Sequence, residues 1–232
     1  YITKVPQVTL LFWITKIFAT TFGETGGDSF SMSLKLGYLT STFIFAIVFI
    51  ILLICQIKAK SYKPYLYWFT IIASTTVGTT LADFVTRSLG IGYSGGSSLL
   101  LGLVIFSLLG WYKVEGSVSP HTVNKPKSEV FYWLTITFSQ TLGTALGDWS
   151  ADTIGLGYSG GIALFSSLIL LMVLLYKFTS ASRTFLFWST FILTRPLGAV
   201  VGDFLDKPLS AGGLDLSRFA ASGVILLSLI HI

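Results

Sequence analysis

WLTITFSQTLGTALGD, from Trp133 to Asp148, is one of four copies of a single unit. The others are WITKIFATTFGETGGD from Trp13 to Asp28, WFTIIASTTVGTTLAD from Trp68 to Asp83, and WSTFILTRPLGAVVGD from Trp188 to Asp203, and all four align without a gap. In every copy Thr follows Trp by two residues, Gly by ten and Asp by fifteen. A second glycine follows each Asp by nine residues, at Gly37, Gly92, Gly157 and Gly212. A repeat this regular defines the building block before any fold is considered.

The surrounding composition sets the solvent. Of 232 residues, 53% are hydrophobic and only 11% charged, and the mean hydropathy is +0.78. That charged fraction is less than half of the usual one, which excludes a soluble domain and points to a membrane protein. About 20 apolar residues span a bilayer core at 1.5 Å per residue. Eight stretches qualify: Val8–Gly27, Leu36–Ile57, Tyr65–Leu89, Ser97–Tyr112, Val130–Ile154, Ile162–Tyr176, Phe185–Leu205 and Leu214–Ile232. The expected fold is an all-α membrane protein of eight transmembrane helices. They form four parallel two-helix repeats around a pseudo-symmetry axis along the membrane normal. The repeats fall at 7–57, 64–112, 128–177 and 183–232 of a single domain 1–232, with a cytoplasmic linker at 113–129. The first apolar run carries Lys16, Glu24 and the repeat marks, so it reads as a structural helix and not as a cleaved signal. Even-numbered stretches are apolar throughout and suit the lipid-facing ring. Odd-numbered ones carry Thr, Gly and charge, and must turn that stripe inward.

Charge in the connections gives the orientation. Lys4, Lys58, Lys60, Lys63, Lys113, Lys125, Lys127, Lys177 and Arg183 all fall on one face. The positive-inside rule then places both termini in the cytoplasm. Lysines scattered over short loops account for the net charge of +5 and exclude nucleic acid as a partner. His121 lies in the linker and reads as solvated. The single Cys55 supplies neither a disulfide nor a zinc site.

Depth follows from the repeat. Trp13, Trp68, Trp133 and Trp188 read as interface anchors in a cytoplasmic aromatic belt. The glycines ten residues on, Gly23, Gly78, Gly143 and Gly198, lie about 15 Å deep and read as helix-packing positions. The four Asp lie about 22 Å from the belt, toward the outer side. Steps of four from each Asp collect one helical face per copy. Those faces hold Lys16, Thr20, Glu24 and Asp28; Thr75, Thr79, Asp83 and Arg87; Gln140, Thr144, Asp148 and Asp152; and Arg195, Asp203 and Lys207. Together they would line a polar track, with Lys16, Arg87, Arg195 and Lys207 as charge partners. Bare charges at that depth are costly, so carboxylates there must be protonated, paired or bound to a cation. Hard oxygen ligands at Asp28, Asp83, Asp148 and Asp203 would suit a divalent metal or protons.

The copies are unequal. Four residues past each Asp stand Met32, Arg87, Asp152 and Lys207, which is unlike a fourfold ion filter. Pro196 is expected to kink the seventh helix beside Arg195. SLGIGYSGG from Ser88 and TIGLGYSGG from Thr153 read as turns ahead of a helix.

The fourfold array of two-helix units marked by Trp, Thr, Gly and Asp resembles a group of bacterial integral membrane proteins. That group is defined by a tandem repeat of unknown function, and its members are often labelled uncharacterised membrane-anchored proteins. The resemblance covers nearly the whole chain and implies a bacterial inner-membrane protein of eight crossings. It implies no substrate. On the residues alone, the leading expectation is a non-enzymatic transporter or channel for a small cation, a divalent metal or a proton. In it Asp28, Asp83, Asp148, Asp203, Glu24 and Asp152 act with Thr20, Thr79, Thr144 and Gln140. A bound divalent cation is the one cofactor considered, and a homo-oligomer the one protein partner beyond the bilayer. The alternatives are a non-catalytic protein whose charges are structural while it binds a lipid or partner, and, lower, an intramembrane hydrolase using an Asp pair.

Overall fold

The computed structural model describes residues 4–231. Ile232, the expected end of the last helix, and residues 1–3 lie outside them. Eight α-helices account for most of the described residues, which contain no strand. They are α1 (Leu10–Asp28), α2 (Tyr38–Lys58), α3 (Pro64–Asp83), α4 (Gly92–Glu115), α5 (Pro126–Asp148), α6 (Gly157–Phe178), α7 (Arg183–Asp206) and α8 (Arg218–His231). Their starts are set locally. Pro64 and Pro126 occupy first-turn positions where no backbone N–H is needed, and the Thr9 and Ser182 hydroxyls cap α1 and α7. The four glycines nine residues past each Asp all have positive φ, from 65° at Gly157 to 86° at Gly212. The second repeat mark is therefore a turn that needs glycine before the outer helix. In the first three units the Asp is followed by a single π-helical turn, at Ser29–Ser33, Phe84–Ser88 and Trp149–Thr153. In the fourth, Pro208 follows instead and the chain leaves the helix at Lys207.

The odd helices form the centre. α1 packs on α3 and α7, α3 on α5, and α5 on α7, closing a ring of four. Each outer helix lies mainly on the inner helix of the following unit: α2 on α3, α4 on α5, α6 on α7, and α8 on α1. The packed hairpin is thus offset by one helix from the sequence repeat. Loop length accounts for two of these pairs, because only residues 59–63 join α2 to α3 and residues 179–182 join α6 to α7, and short loops make antiparallel neighbours.

Among the described residues four helices, α2, α4, α6 and α7, are long and apolar enough to cross a membrane. The first three are largely bare, while α7 is 72% buried over its most apolar stretch. Phe43, Phe106, Leu170 and Leu227 stand on an outer surface far more apolar than a soluble protein tolerates. α7 continues as one helix through Pro196. α4 and α6 begin at Gly92 and Gly157, ahead of the expected Ser97 and Ile162.

Candidate functional site

The inner helices touch through the same residue columns in turn. One residue before each Trp stands an aromatic side chain: Phe12, Tyr67, Tyr132 and Phe187, all buried. Each lies against the Trp of the next inner helix. Ring centroids are 5.5 Å apart for Phe12 and Trp68, 5.6 Å for Tyr67 and Trp133, 6.0 Å for Tyr132 and Trp188, and 5.8 Å for Phe187 and Trp13. The Tyr67 and Tyr132 hydroxyls share a 2.7 Å hydrogen bond. The four Trp read as interface anchors pack inward on one another's helices. Trp133 and Trp188 are buried and Trp13 and Trp68 only partly exposed, because the neighbouring aromatic column offers each indole an interior ring to pack against. Trp188 also donates its Nε1 proton to the Val118 carbonyl at 2.8 Å, tying the linker to the bundle.

Ten residues past the Trp, the glycines meet the column seven past it on the next helix. A Cβ on Gly23 would fall 2.9 Å from Thr75 Cβ, on Gly78 2.9 Å from the Gln140 carbonyl carbon, on Gly143 3.0 Å from the Pro196 nitrogen beside Arg195, and on Gly198 2.7 Å from Thr20 Cβ. A second tier repeats the rotation one turn on, with Gly27 against Thr79, Gly147 against Ala199, and Gly202 against Glu24. These contacts hold the inner backbones close enough for short polar side chains to meet across the ring.

What they bring together is a charged hub. Arg195, from α7, is fully buried, and its Nη2 lies 2.9 Å from Oε2 of Glu24, from α1. The same nitrogen donates to the Thr79 hydroxyl of α3 at 2.6 Å and to the Thr144 hydroxyl of α5. Both hydroxyls also donate to Glu24 Oε2, at 3.2 Å each. All four inner helices therefore meet at one carboxylate oxygen and one guanidinium nitrogen. Arg195 Nε and Nη1, both amide atoms of Gln140, and Thr75 Oγ1 are buried without a hydrogen-bond partner among the described residues. Thr20 is spent on the backbone, donating to the Ile17 carbonyl of its own helix and the Thr194 carbonyl of α7.

Lys16 is also fully buried. It donates to the Phe191 carbonyl at 3.1 Å and the Thr194 hydroxyl at 2.8 Å, and stands 3.8 Å over the Phe191 ring. Among the described residues no carboxylate lies within salt-bridge reach of it.

The four Asp do not form one ring of ligands. Arg87 bridges Asp83 of its own helix and Asp148 of the next, each at 3.0 Å. Lys207 bridges Asp203 and Asp28 in the same way, each at 2.9 Å. Cations at this position in the second and fourth copies thus tie the Asp into two pairs. Arg218, from α8, adds a 2.8 Å contact to Asp206, which the sequence did not single out. Carboxylate oxygens of Asp28, Asp203 and Asp206 lie within 4.8 Å of one another, a spacing that suits a cation. The Lys207 ammonium already stands there, 2.9, 2.9 and 3.9 Å from the three. Asp152 falls outside the cluster: it is exposed and accepts from the Tyr93 hydroxyl at 3.3 Å, because the turn after Asp148 carries it past the end of the inner ring. At the opposite end, Lys4 contacts Glu129 at 2.6 Å and the Ile57 carbonyl at 3.0 Å.

The sequence passed over the aromatic column before the Trp, although four aromatics at one register position were there to be seen. Asp206 and Arg218 had no such signal, since neither recurs among the copies.

A family model described as a repeat of unknown function, DUF347, matches residues 11–62, 66–117, 131–182 and 186–232. No curated protein and no solved structure matches the chain.

Proposed function

The chain belongs to the DUF347 repeat family, and we propose that it is an eight-span protein of the bacterial inner membrane, with both termini in the cytoplasm, that carries protons across the bilayer by way of Glu24. The hub supports proton carriage: one buried carboxylate pairs with one buried guanidinium where all four inner helices meet. An ionisable group inside a membrane bundle is expensive to keep and marks an ion path. Glu24 can exchange its Arg195 partner for a proton while Thr79 and Thr144 still hold the carboxyl group, which is what a relay group has to do.

A proton fits better than a divalent metal. Every Asp that a metal would use already faces Arg87 or Lys207, and a metal would have to displace that cation. The Asp layer then acts as glue at the outer end, and the transported ion is handled at the hub. The bare outer faces of α2, α4 and α6 support their place against lipid, and α1, α3 and α5 would cross inside that shell.

The test is reconstitution into vesicles containing a pH-sensitive dye, with a potassium diffusion potential as the drive. Wild type should show proton entry that Glu24→Gln abolishes while the variant elutes as a single folded species. Equal entry in the two would overturn the proposal. Thermal stabilisation by Mn²⁺ that Asp203→Asn removes would instead assign the site to the Asp layer.

A further inference from the structure

We propose that the layer seven residues past each Trp holds a small monovalent anion, on the Trp side of the Glu24–Arg195 pair. Its side chains come from all four inner helices: Thr20, Thr75, Gln140 and Arg195. Thr20 is satisfied by backbone carbonyls. The other three leave buried donors without partners: Thr75 Oγ1, Gln140 Nε2, and Arg195 Nε and Nη1. Thr75, Gln140 and Arg195 are each wholly buried. A native fold rarely leaves that many buried donors unmatched at one level, and a bound acceptor is the ordinary explanation.

Charge points the same way. Lys16 lies one helical turn toward the Trp end, with only two of its three protons committed to the Phe191 carbonyl and the Thr194 hydroxyl. With Lys16 and Arg195 both charged, the inner ring here carries two cations against the single carboxylate of Glu24, an excess of one positive charge. Two like charges buried together without a second counter-ion are unfavourable, and one monovalent anion between them cancels both the repulsion and the excess. Water would satisfy the hydrogen bonds but not the charge. Size is set by the packing, because Gly78 lies on the Gln140 backbone and Gly143 on Arg195. A ring drawn in so closely suits a halide or formate, and excludes larger organic acids. The Gln140 amide donates to the anion through Nε2, and its Oε1 can take the remaining Lys16 proton.

The test needs no transport, so it stands or falls separately from proton carriage. The purified full chain in detergent is melted in gluconate buffer, with chloride, bromide, fluoride or formate added at constant sodium and ionic strength. A saturable rise in melting temperature with at least one small anion, and none with gluconate, is expected. Losing a hydrogen bond to a charged group weakens binding by about tenfold or more, so Gln140→Leu should shift the midpoint by at least that. Thr75→Val, which keeps the side-chain shape, should shift it less but in the same direction, and serves if Gln140→Leu does not fold. Melting curves that respond equally to gluconate and to the small anions would overturn the proposal. So would a midpoint unchanged in a folded Gln140→Leu or Thr75→Val variant.

Discussion

Replacing Gly143 by Ala probes the inner ring where its contacts are closest. The added methyl would stand 2.5 Å from Arg195 Cβ and 3.0 Å from the Pro196 nitrogen. Neither can turn away. A Cβ does not move with side-chain torsions, and the Pro196 nitrogen is backbone held in a ring, so α5 and α7 must separate. Overpacking of this kind costs about 1–3 kcal/mol. The better helix propensity of Ala offsets about 1 kcal/mol of that, leaving a net loss of up to about 2 kcal/mol. For a chain of this length such a loss lowers the melting temperature by up to about 8 °C. The internal control is Gly102, on the bare side of α4, where an added Cβ has nothing within 4 Å. Gly102→Ala gains helix propensity alone, up to about 1 kcal/mol, and should melt slightly higher than wild type. The assay is thermal unfolding in one detergent, followed by tryptophan fluorescence, which the buried Trp133 and Trp188 make sensitive to loss of the bundle. Arg195 also carries the hub pair, so Gly143→Ala should reduce proton entry into vesicles and Gly102→Ala should not. A Gly143→Ala protein that melts above wild type, as Gly102→Ala should, would refute the close-contact role of that column, and with it the rotation from helix to helix that the contacts describe.

Other substitutions separate the remaining parts. Lys207→Met strands Asp28 and Asp203 and should lower stability by about 3 kcal/mol, while adding Asp203→Asn should recover a large part of the loss; thermal melts of the single and double variants check this. Tyr132→Phe leaves the buried Tyr67 hydroxyl unmatched and should cost about 1 kcal/mol, and the Tyr67→Phe, Tyr132→Phe double should cost less than the two singles summed. With Cys55 changed to Ala, His121→Cys in the linker should react with a membrane-impermeant maleimide in inverted vesicles and be protected in intact cells. The opposite pattern would reverse the orientation.

The sequence made the four units legible because Trp, Gly and Asp recur at fixed spacing, and the bare helices legible because their hydropathy is uniform. The direction of the Trp rings was not legible. Hydropathy places an indole at a given depth but does not say whether it faces lipid or a neighbouring ring, and here the preceding aromatic of the adjacent helix decides. The outward swing of Asp152 was hidden for a related reason, since a spacing of four predicts one face only while the helix keeps its pitch, and the wider turn after Asp148 breaks it. Glu24, Thr79, Thr144 and Arg195 were each on the predicted stripe. Their convergence on single atoms required the inner backbones to approach through glycine, which a stripe drawn on one helix cannot show. Arg87 and Lys207 were expected as charge partners, but only the ring order reveals that each serves two Asp from adjacent helices.

The scaffold and its charges obey different symmetries, and that difference constrains mechanism. The columns that join neighbouring helices, the aromatics before the Trp and the glycines ten past it, are alike in all four copies, so the ring closes with fourfold regularity. The columns that reach the axis are not alike. Eleven past the Trp stand Glu24, Thr79, Thr144 and Ala199, and nineteen past it stand Met32, Arg87, Asp152 and Lys207. The outer layer therefore reduces to two halves, each with one cation bridging two Asp and the second joined by Asp206 and Arg218, and the hub reduces to a single acid and a single base. A pore that passes ions down a symmetric axis needs equivalent ligands around it. Under the proposed proton carriage, one acid facing one guanidinium, with hydroxyls from the two remaining helices, is a group occupied and emptied in turn, as in a carrier. If Glu24 is the relay, each chain holds a complete hub, and proton entry should scale linearly with the number of chains per vesicle, with no threshold for assembly.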